Sequence, residues 1–126
     1  MNIKDQVLSI EQIKELQELC FDFRKYASMC VIEAKDKNKY IVDRRLIGLH
    51  IGFMETEVIE YHETMTIGDI MKCLPEEIEE KVLNIFAFGE TWSVGWEGIQ
   101  YCGSNTLIDA LFETLKWCIK QKHLEL

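Results

Sequence analysis

Apolar residues recur along this chain at two different periods. Ile10, Ile13, Leu16 and Cys20 stand at helical spacing, with Glu11, Lys14, Glu15 and Glu18 between them, which predicts an amphipathic helix over about 10–19. Ser9 with Gln12 three residues on has the form of a capping box. The pattern then shortens. Residues 28–35 read as a strand, Asp36 to Lys39 as a polar break, and 40–42 as the returning partner of a hairpin. Residues 46–53 and 58–61 supply one or two further strands. Gly48 and Gly52 leave the register there open, because glycine weakens a strand.

Thr66 opens a short helix carrying Ile70, Met71 and Leu74. Pro75 turns Leu74 away from helical geometry and so ends it. Pro75 to Ile78 then reads as a new helical turn, with proline first and glutamates at its positive end. Residues 82–88 and 91–97 flank Gly89 and Glu90, a pair that suits a two-residue hairpin. Alternation puts Trp92, Val94 and Trp96 on one face of that hairpin and Ser93, Gly95 and Glu97 on the other. A short piece at 99–101 precedes a last helix beginning near Asn105 or Thr106. Its apolar stripe is Ile108, Leu111, Leu115, Cys118 and Ile119. The predicted class is α+β: one mainly antiparallel sheet, the N-terminal and C-terminal helices packed on one face, and a short helix in mid-chain.

Composition bounds this picture without redirecting it. At 126 residues with one proline and no repeat, the chain reads as a single domain over 1–126. The formal charge of −8 keeps phosphate backbones away, so ordinary nucleic-acid binding is not expected. Lys35, Lys37, Lys39, Arg44 and Arg45 are interleaved with Asp36 and Asp43 and make no basic stripe. The longest near-apolar run, 46–54, falls well short of the ~20 residues that span a bilayer, and the first nine residues lack the features of a secretory leader. Five cysteines without a CxxC pair suit small buried hydrophobes in a reducing compartment. The expectation is a cytoplasmic chain with no membrane contact.

Four groups invite a chemical reading. His50, Glu60, His62 and Glu63 would make a zinc or iron site if two strands brought the histidines together. Against that stand the absence of an HExxH and of any close histidine pair, and ordinary strand residues are the favoured reading. Cys102, beside a helix start, has the placement of an activated thiol, or simply of a small residue ending a strand. Trp92, Trp96 and Tyr101 form a partner-binding face if their sheet is open, and core if it is covered. Glu76, Glu77, Glu79 and Glu80 are a solvated acidic turn before they are a phosphate mimic. The glycines form neither a GxxxxGK[ST] nor a GxGxxG loop, and no catalytic set or cofactor is expected.

Several blocks taken together are similar to a known group. Residues 8–12 (LSIEQ), 16–19 (LQEL) and 27–29 (ASM), then 64–70 (TMTIGDI) with Leu74 and Pro75, and finally 107–111 (LIDAL) with 115–119 (LKWCI), resemble a family of small uncharacterised α+β proteins of gut anaerobic bacteria, their phages and mobile elements. The resemblance implies an α+β fold and a mobile-element setting, and carries over no catalytic residue. Small size, acidic charge and this setting lead to the expectation of a non-enzymatic protein-interaction or regulatory module with a protein partner. The alternatives are a ligand or metal domain using His50 and His62, and a homo-oligomeric structural unit.

Overall fold

The computed structural model describes residues 6–124. Helix α1 (Ile10–Glu18) begins as its capping box requires: the Ser9 hydroxyl accepts the Gln12 N–H at 3.2 Å and the Gln12 side chain accepts the Ser9 N–H at 3.0 Å. It ends at Leu19, and Cys20 follows in the left-handed region (φ 65°), with the Phe21 N–H returning to the Leu16 carbonyl. This closure normally uses glycine. Cys20 is exposed, so it lies outside the apolar stripe in which its spacing placed it.

A first antiparallel sheet follows, β1 (Met29–Ala34), β2 (Lys39–Asp43) and β3 (Val58–Thr64), in the order β2-β1-β3. Because β2 and β3 both run antiparallel to β1, they are parallel to each other, and the chain must cross the sheet to join them. The crossing segment is helical, a 3-10 turn at Arg44–Leu46 and then α2 (Ile47–Phe53), where the sequence pattern predicted a strand. Asp43 starts it by accepting the Arg45 N–H at 2.8 Å. Half-buried Ile47, Ile51 and Met54 lie at helical spacing, while Leu49 and Phe53 face out. A short apolar run with residues of both faces does not distinguish the two states by period alone.

Helix α3 (Ile67–Cys73) is capped by Thr66 and Asp69. The Asp69 Oδ2 also accepts the Ser28 N–H at 3.1 Å and its hydroxyl at 2.5 Å, so the cap ties α3 to the start of β1.

The second sheet is an antiparallel meander, β4 (Glu77–Ile78), β5 (Lys81–Phe88), β6 (Thr91–Trp96) and β7 (Gln100–Ser104), in that order. The α+β class thus holds, with the antiparallel strands divided between two sheets. The β5–β6 hairpin turns at Gly89-Glu90, with Gly89 at φ 63°. Residues 76–80 form a strand and a tight turn where proline chemistry predicted a helical turn. Ile78 is buried, and Glu79 and Glu80 take φ 49° and 69° to bring the chain back as β5. Two left-handed residues are what a type I′ turn demands, and no asparagine or glycine marks it in the sequence.

Helix α4 (Leu107–Lys120), capped by Thr106, lies across β6 and β7 and packs on α3. It is joined to α1 by Gln12 Nε2 donating to Asp109 Oδ1 at 2.7 Å and by Lys116 beside Glu15 at 2.8 Å. Leu8, Ile13 and Leu16 meet Val31, Ile70, Val94, Trp96, Leu111 and Leu115 in one core that links both sheets. Trp96 is its largest member, and its indole N–H donates to the Pro75 carbonyl at 3.2 Å. A buried indole needs such a partner.

Candidate functional site

Two surfaces carry chemistry. The first is on the sheet of β1 and β3. Register sets Glu33 directly opposite Glu60, and His62 lies two residues along β3 on the same face. His62 Nε2 is 2.9 Å from Glu60 Oε1, and donor atoms of Glu33, Glu60 and His62 all lie within 4.8 Å of one another. The His62 hydrogen bond, followed by one from Glu33, holds the Glu60 carboxyl below its ordinary range. Like charges directly across a strand pair repel, and the His62 side chain reaches Glu60 on the same face. Lys39 is the β2 neighbour of Glu33, and the Lys14 charge also reaches Glu60.

His50, which the strand reading placed with His62, is instead on exposed α2 and does not join this group. Glu33 stands in its place. Glu63 lies on the opposite face of β3, where Arg44 Nε comes to 2.8 Å from its Oε2 without aiming a hydrogen bond at it. Two carboxylates and an imidazole are a donor set for a divalent ion, but in this arrangement the Glu60–His62 hydrogen bond already engages one of the oxygens.

Cys102 is not in a loop before α4. It is a half-buried residue of β7, paired with Val94 in the middle of the strand. Burial pushes the Cys73 and Cys118 thiols up to about 12.

The second surface is the outer face of β5, β6 and β7. The inner face holds Trp92, Val94 and Trp96 against the core. Trp96 is wholly buried and Trp92 half-buried, so of the aromatic trio that was a candidate partner face, only Tyr101 looks outward. On the outer face Val82, Phe86 and Phe88 of β5 stand beside Ser93 and Gly95 of β6 and Tyr101 of β7, as the register requires. Phe88 is 84% exposed, Val82 59%, Phe86 45% and Tyr101 37%. Asn84 Nδ2 donates to the Tyr101 hydroxyl at 3.4 Å.

Among the described residues no charged side chain interrupts this face. Glutamates surround it: Glu77 beside Val82, Glu79 and Glu80 in the β4–β5 turn, Glu90 in the hairpin turn and Glu97 past β6, with the cation Lys81 among them. An apolar, partly aromatic centre inside a charged rim is the composition of an interface.

The sequence points to the tryptophans, whereas the structure exposes Phe86 and Phe88. A signal for them exists: β5 is apolar on both faces, with Leu83, Ile85 and Ala87 on one side and Val82, Phe86 and Phe88 on the other. An antiparallel strand that is covered on one side only alternates apolar with polar.

No family model matches the chain, and neither a curated protein nor a solved structure shows significant similarity to it.

Proposed function

We propose that this chain is a protein-interaction module that holds a partner on the outer face of the second sheet. The observation that carries the reading is the uncovered group Val82, Phe86, Phe88 and Tyr101, free of charge at its centre and bounded by glutamates. Aromatic side chains of this kind contribute most of the energy at interface centres. The rim sets the partner's chemistry: an apolar centre with lysine or arginine around it. A second copy of the chain is the weaker reading, because the same face brought to itself sets Glu77, Glu90 and Glu97 near one another. The net charge of −8 adds to that repulsion and also disfavours a nucleic-acid partner. In the mobile-element setting that the resemblance implies, such a module is an accessory or regulatory factor acting on a host or element protein.

The test is affinity capture from host lysate with the wild-type protein and with a Phe86→Lys, Tyr101→Lys double variant. Both residues point away from the core, so the variant is expected to fold. A captured basic protein that the variant loses and that salt releases supports the reading. Capture that is indifferent to the double substitution overturns it.

A further inference from the structure

Resting on that reading, we infer that the partner supplies an extended strand that adds to the free edge of β5 and carries basic residues at both ends of the added segment. Strand β4 pairs only with Lys81 and Val82, and the Leu83 N–H still reaches the Glu76 carbonyl at 2.8 Å. Beyond this point β4 has ended, and among the described residues nothing pairs with that edge of 84–88. Backbone groups along a strand alternate in direction. Since the Leu83 N–H points toward β4, Ile85 and Ala87 aim their N–H and C=O groups the same way, out of the sheet. The partners of Asn84, Phe86 and Phe88 are on β6, at Gly95, Ser93 and Thr91.

The edges of the first sheet are guarded in ways this one is not, and β7, the far edge of the second sheet, is likewise uncharged but has α4 packed against it. Strand β3 carries Glu60, His62 and Glu63, and β2 carries Lys39 and Asp43 at its ends. Charges on an edge discourage a further strand. Residues 84–88 hold none, and Phe86 and Phe88 stand at the same edge. An added strand would satisfy the backbone groups of Ile85 and Ala87 and lay its own apolar side chains beside Phe86 and Phe88, the mode known as strand addition.

Charge sets what lies at the ends of that strand. Glu76 and Glu77 stand where β4 stops, and Glu90 stands in the turn after Phe88. A segment of about five residues, the length of the free edge, therefore meets carboxylates at each end and is favoured by lysine or arginine there. The edge of a second copy fits less well. Antiparallel pairing of 84–88 with itself carries the partner copy's turn, with its Glu90, toward Glu76 and Glu77.

The test is a selection of random twelve-residue peptides, displayed on phage, against the immobilised full chain. The recovered peptides are expected to share an alternating apolar core flanked by lysine or arginine. Bound as synthetic peptides, they should slow hydrogen exchange at the Ile85 and Ala87 amides. Ala87→Pro, which removes an N–H that no described residue accepts, should weaken them at least tenfold. Ala87→Lys, a charge placed at the edge, should do the same if the proline variant fails to fold. Peptides that bind both variants as tightly as wild type, leave those two amides unprotected, or fail to enrich at all overturn the inference. Peptides lost on Phe86→Lys but kept by both Ala87 variants would overturn the edge and leave the face as the docking surface. Lysate capture indifferent to the Phe86 and Tyr101 substitutions is the separate failure of the face itself.

Discussion

Phe86 and Tyr101 meet edge to face, with ring centroids 5.5 Å apart, although a whole strand separates them. Their strands are two spacings apart, about 10 Å, and the rings span the gap over Ser93 and Gly95 of β6, the register partners of Phe86 and Tyr101. Large side chains at either β6 position would part them. Small residues on β6 thus turn separate aromatics into a continuous apolar surface.

Gly95 has a second reason to be glycine. A Cβ there would stand 1.9 Å from the Gln100 carbonyl oxygen and 2.7 Å from the Tyr101 Cα, both backbone atoms. Gly95→Ala must therefore shift β7 and the start of α4 with it. Urea unfolding is expected to show a loss of about 2 kcal/mol or more. A variant as stable as wild type would mean that β6 and β7 do not approach as described.

Several non-glycine residues sit at positive φ, among them Cys20 at 65° after α1 and Glu80 at 69° before β5. Both are exposed. Cys20→Gly and Glu80→Gly are each expected to stabilise by about 0.5–1 kcal/mol, the relief of left-handed strain less the entropy glycine adds to the unfolded chain. A raised melting temperature in each variant is the readout, and a fall would contradict the turn geometry.

The cysteines should divide by reactivity. Burial pushes the Cys73 and Cys118 thiols up to about 12 and raises that of Cys30 as well. A thiol-disulfide reagent at pH 8 is expected to modify exposed Cys20 rapidly and these three only as the chain unfolds. Fast modification of Cys118 in the folded protein would contradict the packing of α4.

Acid should act partly through Asp43. The Arg45 guanidinium, and then the Arg45 backbone N–H, hold its carboxyl down from the ordinary 3.8 to about 2. A carboxyl lowered on folding contributes stability that is fully present above its unfolded value and lost as pH falls through the folded one. That places the loss between about pH 4 and pH 2. Asp43→Asn is expected to flatten this part of the stability curve and leave the neutral limb unchanged in slope, measured by urea midpoints across pH.

Helices α1 and α3 were legible from their caps, Ser9 with Gln12 and Thr66 with Asp69, and α4 is capped by Thr106, one of the two starting residues its pattern offers. The β5–β6 hairpin was legible too, since Gly89 supplies the conformation its turn needs. What stayed hidden lacked a local mark. The segment 46–53 is apolar on more than one face, and only the need to cross from β2 to β3 makes it a helix. The β4–β5 turn uses two glutamates in a conformation that glutamate rarely takes. Of the carboxylate–histidine group, Glu60 and His62 share a face by alternation alone. Glu33 joins them only through the β1–β3 register, which sequence spacing does not contain. The outer face has a different cause: residue size favours the tryptophans as an exposed patch, but burial depends on which side of a strand is covered, and here that side holds Trp96.

The central claim is that a partner closes over the face formed by Val82, Phe86, Phe88 and Tyr101. Hydroxyl-radical footprinting of these side chains, alone and with the captured partner, tests it most directly. The account predicts that Phe86, Phe88 and Tyr101 lose several-fold in oxidation rate on binding while Phe53, 81% exposed on α2, keeps its own. Unchanged oxidation of the three aromatics in a saturated complex would contradict it.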